Sequence, residues 1–248
     1  MFVERTYRKT IAAEDLEKFR VCVGQSDILV YVGEIREGER GDLNLKAFTE
    51  RLLFKYRGQI KEYISRDPLF LASLKPYPIF QDAPQIVKSM ALAGQMAGTG
   101  PMAAVAGAIA EFVGRDLLKV VDEVILENGG DIFISTNLQR KIGIFAGDSP
   151  FSGRLAMLIK AEATPLGICT SSGTVGSSLS FGTADAVVIT SKNSALADAV
   201  ATGIGNIVKS HTDIPQAIEE AKQIPGVLGV VVIKGSKMGV WGEVELVR

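Results

Sequence analysis

Asp198 and Thr202 stand four residues apart in the stretch NSALADAVATGIGN, which begins at Asn193. At helical pitch, positions i and i+4 share a face, so a carboxylate and a hydroxyl point the same way and Asn206 continues the row. Oxygen donors of this kind suit a hard cation such as Mg²⁺, which binds one or two carboxylates together with substrate phosphates. The remaining side chains are small or apolar, which predicts a largely buried helix. A buried carboxylate needs a partner. A bound cation or ligand would supply one, and so would an internal hydrogen bond; the residues leave both open.

Two glycine-bearing stretches carry further polar chemistry. ENGGD holds Glu127, Asn128, Gly129, Gly130 and Asp131 directly after an apolar run. Consecutive glycines permit positive φ and expose backbone N–H groups, which can hold a phosphate or the edge of a ring. The same residues also suit a plain hairpin turn. CTSSGTVGSS gathers Thr170, Ser171, Ser172, Thr174, Ser177 and Ser178 around Gly173 and Gly176. Hydroxyls and free backbone amides along the glycine loop suit phosphate oxygens, and the apolar approach PLGIC anchors the loop on a strand. The loop contains no lysine, so it is not the usual nucleotide P-loop. Cys169 opens it; a reactive thiolate would need a base beside it, whereas a buried structural cysteine needs none. The single histidine, His211, follows the helix of Asp198 in KSHTD, an ordinary place for histidine.

The elements that position these residues follow from pattern. RTYRKTI, RVCVG and DILVYVG read as strands, with a turn near Gly24. LKAFTERLLFKYRGQIKEYI has Phe48, Leu52, Leu53, Tyr56, Ile60 and Ile64 at broadly helical spacing. Prolines 68, 76, 78 and 84 mark a connecting region. APQIVKSMALAGQMAG and PMAAVAGAIAEFVGRDLLKVV read as small-residue helices, the second with proline at its first position. Gly107 costs up to about 1 kcal/mol there, so it needs a packing or binding reason. EVILE, IFIST, KIGIF and LAMLIKA are strand candidates, Ile214–Lys222 a short helix, and GVLGVVVIKGSKMGVWGEVELV two strands about a Gly-Ser-Lys turn. Strands arrive as hairpins and helices as pairs, which predicts an α+β fold with helices packed on a largely antiparallel sheet in one domain.

Composition narrows the partners. Of 248 residues 47% are apolar and 22% charged, with net charge −1, as in a globular chain with a sizeable core and no basic block for nucleic acid. Two distant cysteines make neither a disulfide framework nor a metal spacing. Residues 90–114 are rich in Ala and Gly, but Gln95, Thr99 and Pro101 interrupt them, so two buried helices are expected rather than a membrane span. The charged start MFVERTYRK predicts a cytoplasmic protein, and a homodimer is the base-rate expectation.

ENGGDI, TSSG and ADAVAT, in this order, resemble the ApbE-like family of flavin transferases, which use FAD and Mg²⁺ to attach FMN to Ser or Thr of a target protein. The resemblance implies a T-fold-like architecture. It implies that Asp198 and Thr202 are metal ligands. It implies that Asn128, Gly129, Gly130 and Asp131, with Thr170, Ser171, Ser172, Gly173 and Thr174, line a site for FAD or FMN. FLASLKPYPIFQDAPQIVKSMALAGQMAGTGPMAAVAGAIAEFVG and GICTSSGTVGSSLSFGTADAVV are similar to a cytoplasmic branch of that family, linked to sulfide assimilation into homocysteine in archaea. The histidine segment that flavin transferases carry after the TSSG loop is absent, and Glu111 follows GAIA where the family has lysine. The resemblance thus implies a Mg²⁺-dependent pocket for a flavin nucleotide or related phosphorylated ligand, with phosphoryl or nucleotidyl transfer as its chemistry. A sulfur-assimilation factor and a non-catalytic interaction module are the alternatives.

Overall fold

A computed structural model describes residues 11–38, 43–175 and 180–248. All but the last residue of the RTYRKTI strand, and Gly176, Ser177 and Ser178, lie outside the described residues.

The strands are β1 (Ile11–Ala12), β2 (Glu17–Val23), β3 (Ser26–Val32), β4 (Val124–Asn128), β5 (Asp131–Ser135), β6 (Arg140–Gly143), β7 (Ala156–Ile159), β8 (Leu166–Ser171), β9 (Ala186–Ser191), β10 (Val227–Lys234), β11 (Lys237–Gly242) and β12 (Leu246–Val247). The helices are α1 (Leu45–Arg66), α2 (Leu69–Ala72), α3 (Gln85–Ala97), α4 (Val105–Leu117), α5 (Ser194–Ile207) and α6 (Ile214–Lys222). Eight strands form one sheet in the order β11-β10-β9-β8-β5-β4-β3-β2, and every neighbouring pair is antiparallel. The expected α+β fold, helices on an antiparallel sheet, is what forms.

Alternation along the strands makes three layers. Ile28, Val30, Leu126, Phe133, Val187 and Val230 face the helices in one core. Their neighbours Leu29, Tyr31, Ile125, Ile132, Ile134 and Val188 face the other way. They pack on Ile142, Met157 and Ile159 of a second, four-stranded sheet, β1-β6-β7-β12. That separate sheet differs from the single one expected: KIGIF and LAMLIKA are strands, but they pair with each other. The prolines of the connecting region leave room for the one turn of α2 after Pro68. Pro101 opens a 3-10 turn, Pro101–Ala104, rather than α4 itself. Among the described residues no single helix is long and apolar enough to cross a membrane, and α3 meets the Pro101–Leu117 run at a bend of 108°.

Arg140 joins the two sheets. Its side chain is 5% exposed and pairs with Asp15 and, at 3.1 Å, with Glu123, itself beside β4. Thr136 Oγ1 donates to Glu123 Oε2 at 2.6 Å. Burial alone would raise the Glu123 pKa; the Thr136 hydroxyl, the Asn137 N–H and Arg140 outweigh it and hold the carboxyl below its ordinary value. A depressed folded-state pKa gives stability that is present above the unfolded value and lost as pH falls through the folded one. Arg140→Ala is expected to cost about 3 kcal/mol or more, since Glu123 is left buried and uncompensated. Urea melts at pH 7 check this, and melts carried below pH 4.5 should show the wild type losing part of that advantage.

Candidate functional site

α4 and α5 cap one another. The N-cap of α4, Ala104, makes no side-chain capping bond, so the first N–H groups of that helix need partners from elsewhere. Asp198 supplies one: its Oδ2 accepts the Gly107 N–H at 2.8 Å, and its carboxylate takes the Ala106 N–H as well. In return, Glu111 of α4 accepts the Ser194 N–H at 2.6 Å, at the start of α5. Its other oxygen holds Arg115 at 2.8 Å. Asn193 completes the α5 cap by accepting from the Leu196 N–H at 2.8 Å.

This exchange requires the small residues. A Cβ at Gly107 would fall 2.2 Å from the Ser194 carbonyl oxygen and 2.8 Å from Asp198 Cβ. The internal partner left open for Asp198 therefore exists, and it is the α4 backbone. Glu111→Ala strips the Ser194 N–H of its partner and is expected to destabilise the fold by about 1–3 kcal/mol in chemical denaturation.

The ENGGD turn packs beside this pair. Gly129 and Gly130 have φ of 74° and 106°, which side-chain-bearing residues rarely adopt. They close the β4–β5 hairpin, so the hairpin reading holds. Asn128 donates from Nδ2 to the Ala106 carbonyl at 3.1 Å, tying the end of β4 to the first turn of α4. Glu127 accepts the Gly130 N–H at 2.9 Å.

Asp131 lies opposite Cys169 across the β5–β8 ladder. Burial, the Asp198 charge and the Glu127 charge push its carboxyl well above the usual range, against bonds from the Cys169 thiol and the Thr170 N–H. Burial raises Asp198 to about 7, against the two α4 N–H bonds. Neither aspartate forms an ion pair with a lysine or arginine among the described residues. Cys169 is wholly buried and bonds the Ser194 carbonyl at 3.4 Å. Burial first, then the charges of Asp131 and Asp198, push its thiol well up. This is the structural cysteine of the two readings. His211 is exposed and opens a 3-10 turn before α6.

Thr202, one turn beyond Asp198, is half-buried. Next to it, a Cβ at Gly203 would meet the Ala97 carbonyl oxygen at 3.0 Å. Asn206 does not extend the row toward a cation, because its Oδ1 accepts the Phe181 N–H at 2.8 Å. Ser171 faces α5, with its Oγ 3.4 Å from where a Gly205 Cβ would stand. Thr170, Ser171 and Ser172 are half-buried, whereas Gly173 and Thr174 are exposed. The loop amides are not free as expected. Ser172 Oγ accepts the N–H of Thr174 at 3.1 Å and of Val175 at 3.0 Å. The Gly173 N–H goes to the Ala184 carbonyl at 2.9 Å.

The three stretches thus meet at one end of the sheet: ENGGD against the first turn of α4, Thr170 beside Gly130, and Ser171 against α5. What gathers there is a set of oxygen atoms around two buried carboxyl groups, Asp131 and Asp198. Sequence reasoning passed over Asp185, which bonds Thr174, and the capping role of Glu111.

Comparison with known proteins gives the same grouping. A family described as AbpE bacteria matches residues 8–239. A UPF0280 protein of Methanocaldococcus jannaschii is 39% identical over 237 residues, covering 93% of this chain and 93% of that relative. One from Methanococcus vannielii is 45% identical over 181 residues, covering 71% and 73%. Among solved structures, a mutant of the flavin transferase ApbE from Vibrio cholerae aligns with a TM-score of 0.60 at 12% identity, over 91% of this chain and 97% of that one. The apo flavinyl transferase ApbE of Pseudomonas stutzeri aligns at 0.53 and 15%, over 92% and 94%. At these identities the structural matches speak to the fold, and the family match covers most of the sequence: the chain belongs to the ApbE-like family.

Proposed function

We propose that this protein binds a flavin nucleotide, or a related phosphorylated ligand, together with a divalent cation such as Mg²⁺ held by Asp198 and Thr202. One observation carries the reading. Asp198 and Asp131 are buried within electrostatic reach of each other, and no lysine or arginine pairs with either among the described residues. Two such carboxylates cannot both ionise cheaply unless a cation joins them. The donor set fits one, with a carboxylate and a hydroxyl one turn apart and only oxygen atoms. Among the described residues no group of three or more His, Cys, Asp or Glu could hold a metal. A cation here takes few protein ligands and relies on ligand phosphates and water, as Mg²⁺ does.

When bound, the cation neutralises charge on a pyrophosphate and so favours phosphoryl or nucleotidyl transfer. The chain's own residues then do the positioning. Gly107 and Ala106 N–H groups fix the Asp198 carboxylate, Asn128 holds the turn of β4 and β5 against α4, and Ser171 offers a hydroxyl on the α5 side of the sheet end. The flavin transferases among the structural relatives make a flavin nucleotide the first ligand to try. Sulfide chemistry at Cys169 finds no support in a thiol that is fully buried with a raised pKa.

The test is a titration with FAD, FMN and riboflavin, with and without Mg²⁺. FAD is expected to bind more tightly with the cation, while riboflavin, which has no phosphate, shows no cation dependence. Equal binding of all three would take the phosphate and the cation out of the reading, and binding of none would leave the sulfur-assimilation and interaction-module readings.

A further inference from the structure

We infer that Asp185 is a positioning residue for the loop at residues 172–175, fixing the shape that the loop presents at the ligand site. Its bearing on a ligand rests on the proposed function. Asp185 stands just before β9, is 8% exposed, and is not among the residues expected to bind the ligand or the cation. Its carboxylate accepts two donors on different oxygens. The Thr174 hydroxyl donates to Oδ1 at 3.2 Å. The Gly235 N–H, in the β10–β11 turn fifty residues away, donates to Oδ2 at 2.6 Å. That turn is held in its own right, because Ser149 Oγ donates to the Gly235 carbonyl at 2.8 Å.

The surroundings leave the loop little freedom once Asp185 holds it. A Cβ on Gly173 would stand 2.2 Å from the Gly182 carbonyl oxygen. One on Gly147 would stand 3.0 Å from Val175 Cγ2 and 3.3 Å from Thr174 Oγ1. The loop, exposed at Gly173 and Thr174, is flanked by the turns at Gly147 and Gly182 and joined to the turn at Gly235 through the Asp185 side chain. A carboxylate suits that place because it has acceptor capacity on both oxygens, whereas an amide would turn an N–H₂ toward one of the two donors. Loss of the anchor lets the loop sample more conformations, and a ligand must then bear the cost of ordering it.

The experiment uses the full chain with Asp185→Ala, Thr174→Val and the double variant. Two quantities are measured: amide hydrogen exchange at Gly173, Thr174 and Val175 without ligand, and the FAD dissociation constant in the presence of Mg²⁺. Asp185→Ala is expected to speed exchange at these amides by about tenfold and to weaken FAD by a similar factor, the scale of one lost hydrogen bond. Adding Thr174→Val to Asp185→Ala should change both quantities less than Thr174→Val does alone, because the shared bond is already gone and only the Thr174–Ser172 hydroxyl contact remains to be lost. Asp185→Asn, with one good acceptor, should fall between. Exchange in Asp185→Ala equal to wild type, or effects of the two variants that multiply, would overturn the inference. If the wild type does not bind FAD at all, the proposed function fails separately, and exchange still decides whether Asp185 holds the loop.

Discussion

Gly107→Ala is expected to destabilise the protein by about 2–3 kcal/mol, and Gly58→Ala to stabilise it by about 0.5–1 kcal/mol, although both replace a helical glycine by the best helix former. The sign is decided by what stands opposite. A Cβ at Gly58, on the exposed side of α1, meets nothing within 4 Å, so the gain in helix propensity is kept. At Gly107 it meets the Ser194 carbonyl at 2.2 Å, a backbone atom that cannot turn aside. α5 must move off α4, which strains the Asp198–Gly107 and Glu111–Ser194 bonds together. Paired denaturant melts measure both effects. A neutral Gly107→Ala would mean that the two helices do not sit as closely as described, and cation-dependent binding should fall along with stability if they do.

Asp198→Asn separates the capping role of that side chain from its proposed role in holding a cation. The amide oxygen can still accept the Gly107 N–H, so that part of the α4 cap is retained, while the Ala106 N–H loses its charged acceptor. The change also removes a charge that burial opposes and that acts on Asp131. The two effects oppose each other, so the melting temperature should change little. Cation binding should fall by about a hundredfold or more, the scale of removing a charged partner worth about 3 kcal/mol. A variant that loses stability and binding in proportion would show Asp198 to be a structural cap alone.

Much of this architecture was legible in the sequence because it rests on local pattern. The α6 bounds Ile214–Lys222 follow from helical spacing, and the β2–β3, β4–β5 and β10–β11 hairpins follow from their glycine turns. The convergence of ENGGD, TSSG and ADAVAT was legible only through family resemblance, since nothing local says that Asp131 faces Cys169. What could not be read depends on tertiary contacts. The start of α4 at Val105 rather than Pro101 has no local signal in a run of alanines. A Cβ at Gly100 would fall 1.8 Å from the Ser73 carbonyl oxygen, so packing on a distant segment helps to fix the turn there. The second sheet is invisible because KIGIF and LAMLIKA alternate as any strand does. Asp185 reads as a residue at a strand entrance until its partner at Gly235, fifty positions on, is brought beside it. The expectation of free loop amides failed for a related reason: Ser172, counted as a ligand group, is occupied with its own loop.

The proposed role of Asp198 is to hold a cation on which ligand binding depends. It is tested most directly by calorimetric titration of FAD into wild type and Asp198→Asn, each with and without Mg²⁺. The account predicts Mg²⁺-dependent binding to the wild type and no Mg²⁺ dependence in a folded Asp198→Asn variant. The same Mg²⁺ dependence in both proteins would contradict it.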